Sequence, residues 1–95
     1  MKIAILGTGF GLEHLKIYQK IGNIEIGGIV GRNEKKLQKI REEYEVSVFS
    51  DASQVINDPT INMIDICYPT NLHHKHALWA LKNKKHVFCE TPISY

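Results

Sequence analysis

Residues 2–11 read Lys2-Ile3-Ala4-Ile5-Leu6-Gly7-Thr8-Gly9-Phe10-Gly11. The short apolar run closed by Gly7 predicts a strand buried on both faces. A helical pattern starts at once, because Leu12, Leu15, Tyr18 and Ile21 recur at threes and make one stripe along 11–21. Such a turn needs glycine where the backbone bends, and again where a pyrophosphate must approach the amides. The helix N-terminus then offers N–H groups and a favourable dipole to the anion. A glycine triplet alone is weak evidence; its place after the first strand of a βαβ unit is the context that gives it meaning. Gly7, Gly9, Phe10, Gly11 and Leu12 are therefore the first candidate cofactor-binding residues. In the dinucleotide fingerprint the third glycine falls where this chain has Leu12, and Gly11 comes one residue early. That predicts a helix packed a little farther from its strand.

Outward from this turn, strand and helix patterns alternate. Gly22-Asn23 predicts a left-handed stop for the first helix, and 24–30 is a β-branched run that predicts a second strand. Asn33 fits a helix N-cap, with Leu37, Ile40 and Tyr44 on the inner face of the charged helix that follows. A third strand is predicted over 46–49. Asp51 and Gln54, three apart, resemble a capping box for a brief helix. After the Asp58-Pro59 turn, 63–67 predicts a fourth strand, Asn71 a cap for a helix to about Lys82, and 86–89 a fifth strand. This order predicts a parallel α/β sheet.

Composition narrows the function classes. Ninety-five residues make one small domain. Twelve basic against ten acidic residues leave a formal charge of +2, too mild to argue for nucleic acid. Lys82, Lys84 and Lys85, with Lys35, Lys36 and Lys39, lack the aromatic array of a nucleic-acid surface. Hydrophobic residues are 43% and charged residues 23%, as in an ordinary globular chain. Cys67 and Cys89 sit in apolar segments and read as small core residues, so a reducing cytoplasm is expected. No apolar run approaches the ~18 residues of a membrane span, and the first run is too short for a signal peptide.

The end of the second strand bears on the ligand. It reads Ile29-Val30-Gly31-Arg32-Asn33, with no carboxylate before Glu34. An acid there would hold ribose hydroxyls, both in NAD enzymes and in the S-adenosylmethionine methyltransferases whose loop the glycines also resemble. Glycine followed by a guanidinium suits a ribose 2′-phosphate and favours NADP over NAD. The plain alternative is that Arg32 is an exposed residue ahead of a helix.

Residues 55–92 read VINDPTINMIDICYPTNLHHKHALWALKNKKHVFCETP. Together with the glycine turn, this resembles the glucose–fructose oxidoreductase and inositol dehydrogenase (Gfo/Idh/MocA) family over the whole chain. The matching residues are Asp58-Pro59, Pro69-Thr70-Asn71-Leu72-His73 and Cys89-Glu90 with Pro92. The resemblance implies a Rossmann-type doubly wound parallel sheet with five strands present. Residues 1–95 would form the dinucleotide-binding domain of a longer oxidoreductase, its α/β substrate domain lying beyond this chain. It implies hydride transfer between NADP or NAD and a sugar, cyclitol or related polyol, and a homo-oligomer at full length. Tyr68, Pro69, Thr70 and Asn71 would run along the cofactor, His73 would brace that loop, and Glu90 would lie near the nicotinamide. Thr91 replaces the family's lysine, so no catalytic residue is assigned. This motivates a catalytically silent dinucleotide-binding module as the alternative.

No metal is expected. His73 and His76, three apart, share a helix face, but nothing nearby has a zinc spacing; His74 and His76 read as surface residues. Trp79 reads as packing. Lys84 stands where relatives carry glycine, so Asn83 or Lys84 itself must take the left-handed stop.

Overall fold

A computed structural model describes residues 1–68 and 72–89, without the side chains of 72–74. Five strands, β1 (Lys2–Leu6), β2 (Glu25–Val30), β3 (Val48–Phe49), β4 (Met63–Ile66) and β5 (His86–Cys89), form one parallel sheet in the order β3-β2-β1-β4-β5. Helices α1 (Phe10–Tyr18), α2 (Glu34–Tyr44), α3 (Ser53–Ile56) and α4 (Leu72–Lys82) connect them. Chain order reverses between β1 and β4, which creates the switch point where α/β sheets bind ligands.

Burial follows from strand alternation. In central β1, Ile5 packs with Leu15, Ile29, Ile40 and Cys67 on the α1–α2 face, while Ala4 and Leu6 join Val55, Ile56, Ile64, Ile66 and Ala80 on the other. Trp79 packs against this second cluster. The predicted stripe of α1 holds for Leu15, Leu12 and Tyr18, but Ile21 is exposed because the helix ends three residues before it.

Several ends differ from expectation. Past Tyr18 the chain tightens into i→i+3 bonds, Lys20 N–H to Ile17 and Ile21 N–H to Tyr18, which turn it without a left-handed residue. Gly22 and Asn23 keep negative φ, since Gly7 is the one glycine of positive φ among the described residues. Glu45 ends α2 at φ 53°, whereas the stop before β5 agrees with one of its two expected forms, Lys84 itself taking the left-handed position at φ 61°. The Asn33 cap is as expected, its side chain accepting from Lys36 N–H at 3.1 Å. Asp51 accepts from the amide of Ser53 at 2.9 Å, so the acid of the anticipated capping box acts one residue early. Asn71, expected to cap α4, lies outside the described residues.

One acidic and one basic side chain are buried among the described residues, Asp65 and Lys85. Lys85 donates to the carbonyls of Asp58 and Ile61 at 2.6 and 2.8 Å and so holds the turn that enters β4. It is thus removed from any basic surface. Asp65 is fully buried on the α1 face, where its carboxylate gathers His14, Tyr18 and Cys67.

Candidate functional site

Beyond the carboxyl ends of β1, β2 and β3 lies a cavity of about 590 Å³. Its floor is the glycine turn, through Gly7 and Thr8. One wall is the β2–α2 corner, through Gly31, Arg32, Asn33 and Lys36; another is Ser50, Asp51 and Ala52 after β3. Tyr68 after β4 and His76 on α4 complete it. Parallel strands bring these segments together because each delivers its following loop to the same edge of the sheet.

Gly7 has φ +110°, a conformation that L side chains rarely adopt, and its N–H donates to Val30 at 2.8 Å. This bond ties the turn to β2 and brings the two halves of the cavity floor together. Gly11 has a different task. A Cβ there would lie 2.8 Å from the Ile5 side chain and 3.6 Å from Cys67 Cβ. The close helix–strand approach that the fingerprint assigns to its third glycine is therefore made by Gly11, one position early. The expected wider spacing of α1 does not arise, and Leu12 is freed to pack with the core on that face.

The α1 N-terminus carries no side-chain cap, its N-cap being Gly9. In its first turn the Leu12 N–H donates back to the Gly9 carbonyl at 3.1 Å. Of the residues singled out in the sequence, Gly7, Gly31, Arg32, Asn33 and Tyr68 come together around the cavity. Gly9, Phe10, Gly11 and Leu12 stand outside its lining; Phe10 is largely exposed. Pro69, Thr70, Asn71, the side chain of His73, Glu90 and Thr91 lie outside the described residues.

Thr8, Lys36, Ser50, Asp51, Ala52 and His76 also line the cavity. Lys36 lies in the first turn of α2, directly after the Arg32-Asn33 corner, and lines the same cavity. Asp51 and His76 become visible only once β3 and α4 are placed.

Charge is divided across the cavity. Arg32 and Lys36 face it from the α2 side and Asp51 from the other. The Ser53 amide and hydroxyl hold the Asp51 carboxyl below its ordinary range. His76 is half-buried rather than a surface residue, and its Nδ1 meets the Tyr68 hydroxyl. Burial pushes its imidazole below the ordinary value, with Asp51 opposing weakly. At neutral pH it therefore presents a neutral ring, and the positive charge of the cavity rests on Arg32 and Lys36. Burial likewise raises the Cys89 thiol, as befits a packing residue.

An open parallel sheet of this order, with a cleft over a glycine turn at its carboxyl edge, defines a dinucleotide-binding domain of the Rossmann class. The chain belongs to the Gfo/Idh/MocA oxidoreductase family, matching its NAD-binding Rossmann fold over residues 1–95. The myo-inositol 2-dehydrogenase of Thermotoga maritima is 31% identical over 96 residues, covering 99% of this chain and 29% of that protein. Among solved structures, a probable dehydrogenase from Thermotoga maritima matches with a TM-score of 0.91 at 29% identity. The match covers 99% of this chain and 29% of that one. A biliverdin reductase from Synechocystis, solved with biliverdin and NADP+, matches with a TM-score of 0.89 at 26% identity, covering 97% of this chain and 29% of that one. The chain spans less than a third of the length of these relatives. Among the described residues, no helix is long and apolar enough to cross a membrane.

Proposed function

We propose that the chain is the cofactor domain of an oxidoreductase that moves a hydride between NADP(H) and a hydroxyl-bearing carbon of a sugar, cyclitol or polyol. The observation that carries the cofactor choice is the β2–α2 corner. Arg32 and Lys36 both line the cavity beside Gly31, and among the described lining residues this corner supplies no carboxylate. A ribose 2′-phosphate is a dianion; a forked guanidinium and an ammonium lining one corner fit it, whereas an acid would repel it. A Cβ on Gly31 would press to 2.5 Å from the Thr8 methyl, so the bare glycine keeps the corner open above the turn.

The chain's own residues bind and orient. The uncapped first turn of α1 receives the pyrophosphate, and Tyr68 with His76 forms the wall toward the β4 edge. Hydride transfer is the chemistry that a nicotinamide supplies when bound. The substrate would be held by a domain following this one, with Glu90 near the nicotinamide as the family resemblance implies.

Thr91 favours a second reading, a dinucleotide-binding module without turnover. A threonine hydroxyl can donate a hydrogen bond but does not release its proton near neutral pH, as a tuned lysine ammonium can. Turnover by a longer form on a polyol panel supports the oxidoreductase; silence with intact NADPH binding supports the module.

Calorimetric titration of the chain with NADPH and NADH tests the cofactor assignment. NADPH is expected to bind at least about tenfold tighter, the effect of one charge-assisted hydrogen bond. Equal affinities would remove the 2′-phosphate from the account.

A further inference from the structure

On the α1 face of the sheet, among residues that do not line the cofactor cavity, three different ligating side chains converge. Asp65 and Cys67 are two apart on and just after β4, so both project to one face. His14 and Tyr18 are four apart on α1 and project back toward them. His14 Nδ1 lies 2.6 Å from Asp65 Oδ2 and 3.3 Å from Cys67 Sγ, and that sulfur lies 3.2 Å from Asp65 Oδ1. The Tyr18 hydroxyl donates to Asp65 Oδ2 at 2.5 Å. We propose that His14, Asp65 and Cys67 form a binding site for one thiophilic divalent cation of the zinc class, with the Tyr18 oxygen at its edge.

The donor set selects the class. A sulfur, an imidazole nitrogen and a carboxylate oxygen together suit zinc-like ions, whereas calcium and magnesium take oxygen alone. Spacing agrees with this choice. A tetrahedral ion with bonds of about 2.0–2.3 Å holds its ligand atoms roughly 3.3–3.7 Å apart. The Sγ–Nδ1 and Sγ–Oδ1 distances already approach that range, with Oδ1 as the ligating oxygen, and the short contact of Nδ1 with the other oxygen, Oδ2, has to open. Charge agrees as well: a thiolate and a carboxylate neutralise a divalent ion, so the buried site gains no net charge. Binding sends the thiol proton to solvent, and the imidazole presents Nδ1 with its ring proton on Nε2. His14 is the ligand nearest solvent, its side chain 12% exposed against none for Asp65. Its ring lies beside half-exposed Phe88, at 6.2 Å between centroids, which puts the way in at the α1–β5 seam.

Cobalt(II) is a suitable probe because a thiolate–cobalt bond absorbs in the near ultraviolet and a tetrahedral site colours the ion. The chain, reduced and freed of metal, is titrated with cobalt(II). Expected are a thiolate–cobalt band and visible bands that saturate at one ion per chain, released proton in step, and displacement by one equivalent of zinc(II). Cys67→Ser abolishes the thiolate band and Cys89→Ser retains it. Absence of the band in the unaltered chain, which needs no variant to fold, overturns the site and leaves a proton-linked network. So does a band that survives Cys67→Ser.

Discussion

Arg32→Ala weakens NADPH binding about 10–100-fold while NADH affinity stays within about threefold. The guanidinium lines the cavity where β2 ends, and its side chain is exposed, so its removal leaves the core untouched. A charge-assisted hydrogen bond to a phosphate contributes about 1.5–3 kcal/mol, which sets the range. Lys36→Ala has a smaller effect in the same direction, since an ammonium offers a point charge without the planar fork. Parallel titrations of the variant and the unaltered chain with both nucleotides measure the split. Equal losses for NADPH and NADH would mean that Arg32 contributes only to general anion attraction.

Asp65→Ala costs the fold about 3–5 kcal/mol, because several groups packed against it lose a buried hydrogen-bond partner at about 1–3 kcal/mol each. For a domain of this size that is roughly 15–30 °C in melting temperature. The carboxylate is the common acceptor for His14, Tyr18 and Cys67, and through them it fastens α1 to β4. Asp65→Asn recovers little, because its amide turns a donor toward groups that themselves donate. Thermal unfolding followed by circular dichroism measures both variants. A loss below about 1 kcal/mol for Asp65→Ala would show that apolar packing of Leu15 and Ile5 alone seats the helix.

Much of this architecture was legible because it depends on short-range patterns. The strand over 2–6, the Asn33 cap and the strand over 86–89 follow from alternation, cap chemistry and turn residues, and all stand where expected. Helix ends were less legible. The sequence has a glycine at 22, yet α1 stops at Tyr18 by tightening its last turns, and the left-handed end of α2 falls on Glu45; only the stop at Lys84 was among the expected alternatives. Those ends are set by backbone hydrogen bonds that many residue types can make, so they leave no mark on the sequence. Gly11 is a different case. Counting the fingerprint predicts a loosened helix, while a shift of one residue in helix register restores the contact with Ile5.

A third of the cavity lining could be read in the same way, because Gly7, Gly31, Arg32 and Asn33 closely follow strands. His76 and Asp51 could not, for their meeting at the cavity depends on β3 and α4 reaching one edge of the sheet. Asp65 was hidden for a further reason. An acid within an apolar strand declares itself only when the helix opposite brings His14 and Tyr18 over it.

The most direct test of the cofactor site is a backbone amide NMR map of the 95-residue chain with and without NADPH. The largest shifts are expected on Gly7, Thr8, the first turn of α1, Gly31, Arg32 and Asn33, with Lys36 and Tyr68 following. NADH should reproduce the shifts at the glycine turn and lose those at Arg32 and Lys36. Shifts confined to other surfaces, or none at saturating nucleotide, would contradict the assignment of this cavity as the cofactor site.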